Sequence, residues 1–387
     1  MSSKHPSIRE MFSGLIKAPS VSSVSPEFDQ TNRPVVDLLA NWLDGLGFEV
    51  EILPLPKQPH KANLIATLGK GPGGLVLSGH TDTVPFDEQQ WSDDPFKLVE
   101  RDNRFYGLGI ADMKGFFALA IEAAVQFDPK RYKQPLIILA TADEESSMEG
   151  AKMLVELGRP KARYAVIGEP TGLRPVNMHK GIIMESVHVH GHAGHSSNPA
   201  LGANAIEGVH DVIKSLLDWR SHLQENNIDR RFEVPVPTLN LGLISGGDNP
   251  NRICSHAQVH FDLRMLPGMS IDLLRHDIDK QLEVLFKDSK LSASREILSD
   301  GTPPMHTPVD SPLVGALEKL TGHASEAVAF CTEGPYLNEI GMDTVIMGPG
   351  DIAQAHQPDE YLDASRITPT VEILKGLIQQ FCLTDRN

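Results

Sequence analysis

The chain has 387 residues, too many for one small core and of a size that divides into two or three domains. Hydrophobic residues make up 40% and charged residues 22%, the balance of a soluble globular protein, which excludes a fibre and a disordered chain. Thirty-five basic against fifty-one acidic side chains give a net charge of −16, so phosphate backbones and anionic lipid are repelled and neither nucleic acid nor membrane is expected as a partner. Cys254, Cys331 and Cys382 lie far apart with no CxxC, which argues against a disulfide framework and for a reducing compartment. Met1 to Ser20 lacks an apolar signal core, and no apolar run approaches the ~20 residues of a membrane span. A cytoplasmic enzyme is the expectation by elimination.

In chain order, Ile8, Met11, Phe12, Leu15 and Ile16 make the apolar face of a first helix. Pro34 opens a second, with Val35, Leu38, Leu39 and Trp42 on one side and Gly45 and Gly47 ending it. Short apolar runs follow at 48–53, 64–68 and 75–77. Next come an apolar helix over 116–127, a strand over 136–140, a helix over 151–157 and a strand over 164–167. Strands alternating with helices predict an α/β fold, a mostly parallel sheet with helices on both faces.

The middle changes character. A strand over 182–189 precedes a helix that Asn204 can cap, with Glu207 completing a capping box. Two strands follow, around 239–244 and 259–265. A helix capped by Ser270 and a strand near 295–298 end the segment. The order β-α-β-β-α-β predicts a small α+β domain that folds as a unit. Residues 182–300 read as this insert, and residues 1–181 and 301–387 as the first domain. The tail resumes that domain with a helix over 313–320, a strand over 344–347 and a helix over 369–381.

The chemistry stands at the ends of the apolar strands. The run 75–79 leads into His80-Thr81-Asp82, and the run 136–142 into Asp143-Glu144-Glu145. The run 165–168 leads into Glu169-Pro170-Thr171. A glycine-rich turn, Gly107-Leu108-Gly109-Ile110-Ala111, delivers Asp112, and the run 345–348 precedes a loop carrying His356. In an open parallel sheet, ligands bind beyond the carboxyl ends of the strands. Five segments therefore bring metal-ligating side chains to one edge. His80 and Asp82, two apart on an extended segment, share a face, so the carboxylate can orient the imidazole. Glu144 and Glu145 are adjacent and diverge, so one can ligate while the other carries a proton. The three carboxylates of Asp112, Glu145 and Glu169 suit a pair of divalent cations in a cleft. Mixed imidazole and carboxylate donors suit Zn²⁺, Co²⁺ or Mn²⁺ better than Mg²⁺ or Ca²⁺.

Taken singly, each motif has an ordinary reading: a surface His-Asp pair, a solvated acidic turn before a helix. The conjunction after successive strands separates them from that reading. His188, His190 and His192, by contrast, read as one face of a strand rather than as a metal stripe.

These segments resemble the dinuclear-metal aminoacylase and carboxypeptidase superfamily over nearly the whole chain. The signals are Ser78-Gly79-His80-Thr81-Asp82-Thr83-Val84-Pro85, Gly109-Ile110-Ala111-Asp112-Met113-Lys114-Gly115, Asp143-Glu144-Glu145 and Gly168-Glu169-Pro170-Thr171. Further segments resemble its acetylornithine deacetylase branch: His179-Lys180-Gly181, Gly194-His195-Ser196-Ser197, Asn251-Arg252-Ile253-Cys254, Cys331-Thr332-Glu333 and the run from Gln354 through His356 to Leu362. Asn198 and Gly334 depart from the branch pattern, which has an acidic residue and alanine there.

The resemblance implies that His80 and Glu169 hold one metal, Glu145 and His356 the other, and that Asp112 bridges both, with Zn²⁺ first and Co²⁺ second as the ion. It implies that Asp82 steadies His80, that Glu144 is the general base, and that His195 stabilises an oxyanion. Arg264 would grip the substrate carboxylate in two-point fashion. Asn251 and Glu333 would also bind substrate, Glu333 through the δ-ammonium of ornithine. The insert would be a lid through which the chain forms a homodimer. The implied reaction is removal of acetyl from N2-acetyl-L-ornithine in arginine biosynthesis. Related substrates (acetylcitrulline, succinyl-diaminopimelate, a dipeptide) and a non-catalytic binding module are the rivals.

Overall fold

The structure is a computed structural model, and it describes residues 5–383. The chain divides into two compact units. The first comprises the chain up to Asn177, His306–Glu326, and Thr332 onward. The second comprises Met178–Met305 and Ala327–Cys331. No helix among the described residues is long and apolar enough to cross a membrane.

The first unit is built on a sheet whose strands run, side by side, Glu49–Pro54, Ala62–Leu68, Leu136–Thr141, Leu75–His80, Tyr164–Pro170 and Asp343–Gly348. The last four are mutually parallel. Their side chains are buried almost throughout, as expected of parallel strands covered on both sides. One strand differs from the expected parallel pattern. Ala62–Leu68 is antiparallel to both its neighbours, and the turn after Pro54 is too short for a parallel crossover from Glu49–Pro54.

Around the sheet, the Gly115–Ala124 helix packs on the Ile367–Ile378 helix and on Ile8–Lys17. A separate pair is formed by Glu149–Leu157 and Gly334–Glu339. The Gly115–Ala124 helix is apolar and buried but for Glu122, the mark of an interior helix. The strand order reverses around Leu75–His80: the chain moves from it to one neighbour, Leu136–Thr141, and then across to the other, Tyr164–Pro170. That reversal opens a crevice at the carboxyl ends of these strands. A small three-stranded sheet lies beside them, in which Tyr361–Asp363 pairs with Arg104–Tyr106, and that with Val99–Arg101. Nothing local in the sequence announces it.

The second unit has the order β-α-β-β-α-β. Its antiparallel sheet runs Thr238–Gly246, His256–Met265, Gly181–His190, Ser292–Thr302, with helices Ala205–Asn226 and Ile271–Phe286. Its core joins Ile183, Val187, Val189, Val209, Leu216, Phe261, Ile278 and others. Both helix starts differ in detail from the sequence reading. Asn204 caps its helix through Ile206 N, but Glu207 is engaged by the Asn204 side chain rather than by its backbone, so no capping box forms. Ser270 stands at the cap position without a side-chain cap bond.

One charge is sunk in this core. Glu185 is fully buried, and its two oxygens accept from Arg275 Nε and Arg295 Nη1, each at 2.8 Å. The carboxylate thus ties its own strand to the Ile271–Phe286 helix and the Ser292–Thr302 strand. Breaking a buried pair from one side costs about 3–5 kcal/mol, because it strands the partner charges. Glu185→Ala is therefore expected to lower the unfolding free energy by about 3–5 kcal/mol, read from denaturant unfolding followed by circular dichroism. A loss below about 1 kcal/mol would contradict this account of the core.

Candidate metal centre

The strand-end segments converge in the first unit. His80, fully buried at the end of its strand, turns Nδ1 to the backbone oxygen of Asp82 at 3.0 Å. A carbonyl can only accept, so Nδ1 donates there, and Nε2 is the ring atom turned toward the carboxylates. Nε2 lies 3.2 Å from Asp112 Oδ1 and 3.6 Å from Glu169 Oε1. His356 offers Nε2 to Glu145 Oε2 at 3.1 Å and to Asp112 Oδ2 at 3.5 Å. The Asp112 carboxylate is thus divided, one oxygen toward each imidazole. Glu144 stands in the same cluster: its ligating atom and those of His80 and Glu169 lie within 4.8 Å of one another, as do those of His80, Asp112 and Glu145.

Local sequence fits these positions. A Cβ on Gly168 would lie 2.1 Å from the Phe116 ring, so only glycine lets the strand reach Glu169 against that helix. Gly109 has φ +86°, and a Cβ there would meet Lys114 Cε at 2.5 Å. Asp143 and His356 take left-handed backbone conformations at φ 60° and 58°, rare for residues with side chains and concentrated at functional sites.

The electrostatics describe a site short of positive charge. Burial, then the neighbouring Glu169 charge, pushes the Glu144 carboxyl well above its ordinary value. Burial, then Asp112, does the same to Glu169. His80 is raised despite burial, by its hydrogen bond to Asp112 and by the surrounding carboxylates. Glu169 Oε1 is buried with no hydrogen-bond partner. An orphaned buried carboxylate oxygen, a divided carboxylate and two imidazoles with Nε2 turned inward form a donor set that fits cations.

Asp82 sits differently from a simple imidazole partner. Its backbone, not its carboxylate, takes the His80 N–H; Oδ1 is 3.7 Å from Nδ1, and Oδ2 accepts from Glu145 N at 3.0 Å. It therefore holds the Glu144-Glu145 turn as well. Burial raises its carboxyl to about 6. Glu333 is buried at the start of the Gly334–Glu339 helix, with Oε1 accepting from Ser78 Oγ at 2.7 Å and Oε2 unpartnered.

The remaining candidates lie in the second unit. His195 is exposed, and Nδ1 accepts from Ser197 N, which leaves its proton on Nε2. Asn251 lies beside it, its backbone oxygen accepting from Ser196 N at 3.1 Å. Arg264 reaches Asp262 at 3.2 Å and Cys331 Sγ at 3.9 Å. His188 does not gather a ligand set. It bridges His256 Nε2 at 3.1 Å and Glu296 at 2.7 Å on the sheet, beside His190.

Two supports escaped the sequence reading. Lys61, only 2% exposed, reaches Asp143 Oδ1 and Asp29 Oδ1, each at 2.6 Å. It anchors the turn that carries Glu144 and Glu145. Glu360 accepts three backbone N–H groups around Asp112. Its place four residues after His356 was the only signal available for it.

The chain belongs to peptidase family M20/M25/M40, whose model matches residues 76–380. Among its relatives, an acetylornithine deacetylase of Pasteurella multocida is 47% identical over 98% of this chain and 99% of its own. One from Photorhabdus laumondii is 45% identical over the full length of both. Two solved structures share the fold. A tripeptidase from Staphylococcus aureus has TM-score 0.75 at 18% identity, covering 96% of this chain and 97% of its own. A family M20 metallo-carboxypeptidase from Sulfolobus solfataricus has TM-score 0.75 at 17% identity, covering 98% and 99%.

Proposed function

We propose that this protein is a metal-dependent amide hydrolase that removes the acetyl group from N2-acetyl-L-ornithine, giving L-ornithine and acetate. The chemistry rests on the division of the Asp112 carboxylate between His80 and His356, with Glu144 beside them. The substrate rests on the full-length relatives named for that reaction. His80 and Glu169 would hold one cation, Glu145 and His356 the other, and Asp112 both; Zn²⁺ fits these donors best and Co²⁺ next. Bound there, such cations would polarise the amide carbonyl and acidify water.

The chain's own groups do the rest. Glu144, whose carboxyl burial and the Glu169 charge raise above its ordinary value, takes the proton of the attacking water. It then returns that proton to the departing α-amine, so each turnover leaves it as it began. His195, with its proton on Nε2, donates to the developing oxyanion. Asp82 keeps the base in place through Glu145 N. Arg264 pairs with the substrate carboxylate and Asn251 binds beside it. The unpartnered Oε2 of Glu333 accepts the δ-ammonium. The second unit acts as lid and as the surface of a homodimer.

Acetate release from acetylornithine should need Zn²⁺ or Co²⁺ and stop with a chelator; chelator-resistant turnover would overturn the metal chemistry. Glu144→Ala should keep both cations while kcat falls about 10²–10⁴-fold. Retention of more than a tenth of wild-type kcat would rule out this base. In Glu333→Gln, the preference for acetylornithine over acetylmethionine should collapse, read as the ratio of kcat/KM. An unchanged ratio would dismiss the ammonium contact.

A further inference from the structure

Asp112 has to present one oxygen to each of two imidazoles, yet it stands in a glycine-rich turn. A turn of that kind has no intrinsic stiffness, because its glycines accept many backbone conformations. Something outside the turn must hold it.

Glu360 is 2% exposed and lies against this turn. Its Oε2 accepts from Gly109 N at 2.9 Å, and its Oε1 from Ala111 N at 2.7 Å and Asp112 N at 2.9 Å. Its backbone oxygen accepts a fourth bond, from Gly107 N at 3.1 Å. One residue thus satisfies four N–H groups over six positions, groups that would otherwise be buried without partners. The segment is itself pinned. Asp359 accepts from Ser92 N and Oγ at 2.8 and 2.6 Å, and Tyr361 begins a strand paired with Tyr106. His356 lies four residues before Glu360 on the same segment. Lys114, fully buried just past the turn, donates to Ala18 O at 3.1 Å and closes its other side. Burial and the Asp112 charge push the Glu360 carboxyl up to about 8, while its three N–H partners hold it down.

We infer that Glu360 is a positioning residue that locks the Asp112 turn to the His356 segment, so that the bridging carboxylate and one imidazole are set in register by a single carboxylate. This inference rests on the proposed metal centre and adds to it. Side-chain chemistry makes it specific. Glutamine has one acceptor oxygen, and its NH₂ would face donors. Aspartate keeps the charge but falls one methylene short.

The test is calorimetric titration of Zn²⁺ into the metal-stripped full-length protein, for wild type, Glu360→Gln and Glu360→Asp. Partners that orient metal ligands are typically worth about 10–100-fold in affinity. Zn²⁺ affinity should fall by about that factor in Glu360→Gln and by less in Glu360→Asp. The circular dichroism of the stripped proteins should match wild type, and kcat should fall with KM little changed. Wild-type affinity in both variants would overturn the inference. Should Glu360→Gln fail to fold, Glu360→Asp decides alone, and wild-type affinity there overturns the inference equally. A wild-type protein that binds Zn²⁺ but releases no acetate would sink the proposed reaction and leave the affinity comparison standing.

Discussion

Like charge held away from water is the constraint under which this molecule is built. Asp112, the adjacent pair Glu144 and Glu145, and Glu169 come from three separate segments and meet within a few ångströms of His80. Two unit charges 4 Å apart repel by about 4 kcal/mol at an effective dielectric constant of 20. A cluster of four carboxylates therefore opposes folding unless cations or protons neutralise it. Burial first, and the neighbouring carboxylates after it, raise the carboxyls of Glu144 and Glu169. Two imidazoles with Nε2 turned toward the carboxylates relieve only part of the repulsion. Cations remove it and convert the repulsion into binding energy, so assembly of the site and its loading are coupled.

That repulsion explains the supporting groups around the cluster. A side chain repelled by its neighbours moves away unless its backbone is fixed. Lys61 fixes Asp143, Asp82 fixes Glu145 through its amide, and Glu360 fixes Asp112 through three. The sheet fixes His80 and Glu169, each at the end of a buried parallel strand. The scaffold thus spends its rigidity where the charges stand, and these supports lie outside the cluster itself.

This layering also decides what the sequence reveals. His80, Glu144, Glu145 and Glu169 are legible because each directly follows an apolar strand, a local pattern, and the parallel order of those strands follows from their alternation with helices. Glu360 is illegible in its role because the amides it accepts lie 248 to 251 positions away. Lys61 is likewise 82 positions from Asp143, and a lone lysine in a loop reads as surface. The antiparallel Ala62–Leu68 strand and the missing capping box at Asn204 show the same limit at smaller scale. Periodicity finds elements, while turn length and tertiary competition settle their direction and their caps. The Arg275–Glu185–Arg295 group is a further case, since a glutamate inside an apolar strand carries no mark of the two arginines that neutralise it.

The division of labour between strand ends and loops bears on how selectivity is set. The proposed ligands and the proposed base stand on strand ends or on turns braced to them, where a shift alters the charge balance of the whole cluster. The groups proposed to bind substrate stand elsewhere: Glu333 at a helix start, Arg264 at the end of a strand of the second unit, and Asn251 on an exposed loop of that unit. None of these three is a member of the ligand groups at His80. On these assignments, changing Arg264 or Asn251 would alter what is bound without adding or removing charge among the ligands. A fold arranged this way can exchange one acylated amine for another while its hydrolytic chemistry stays fixed, because the costly electrostatics and the adjustable recognition sit on different parts of the chain.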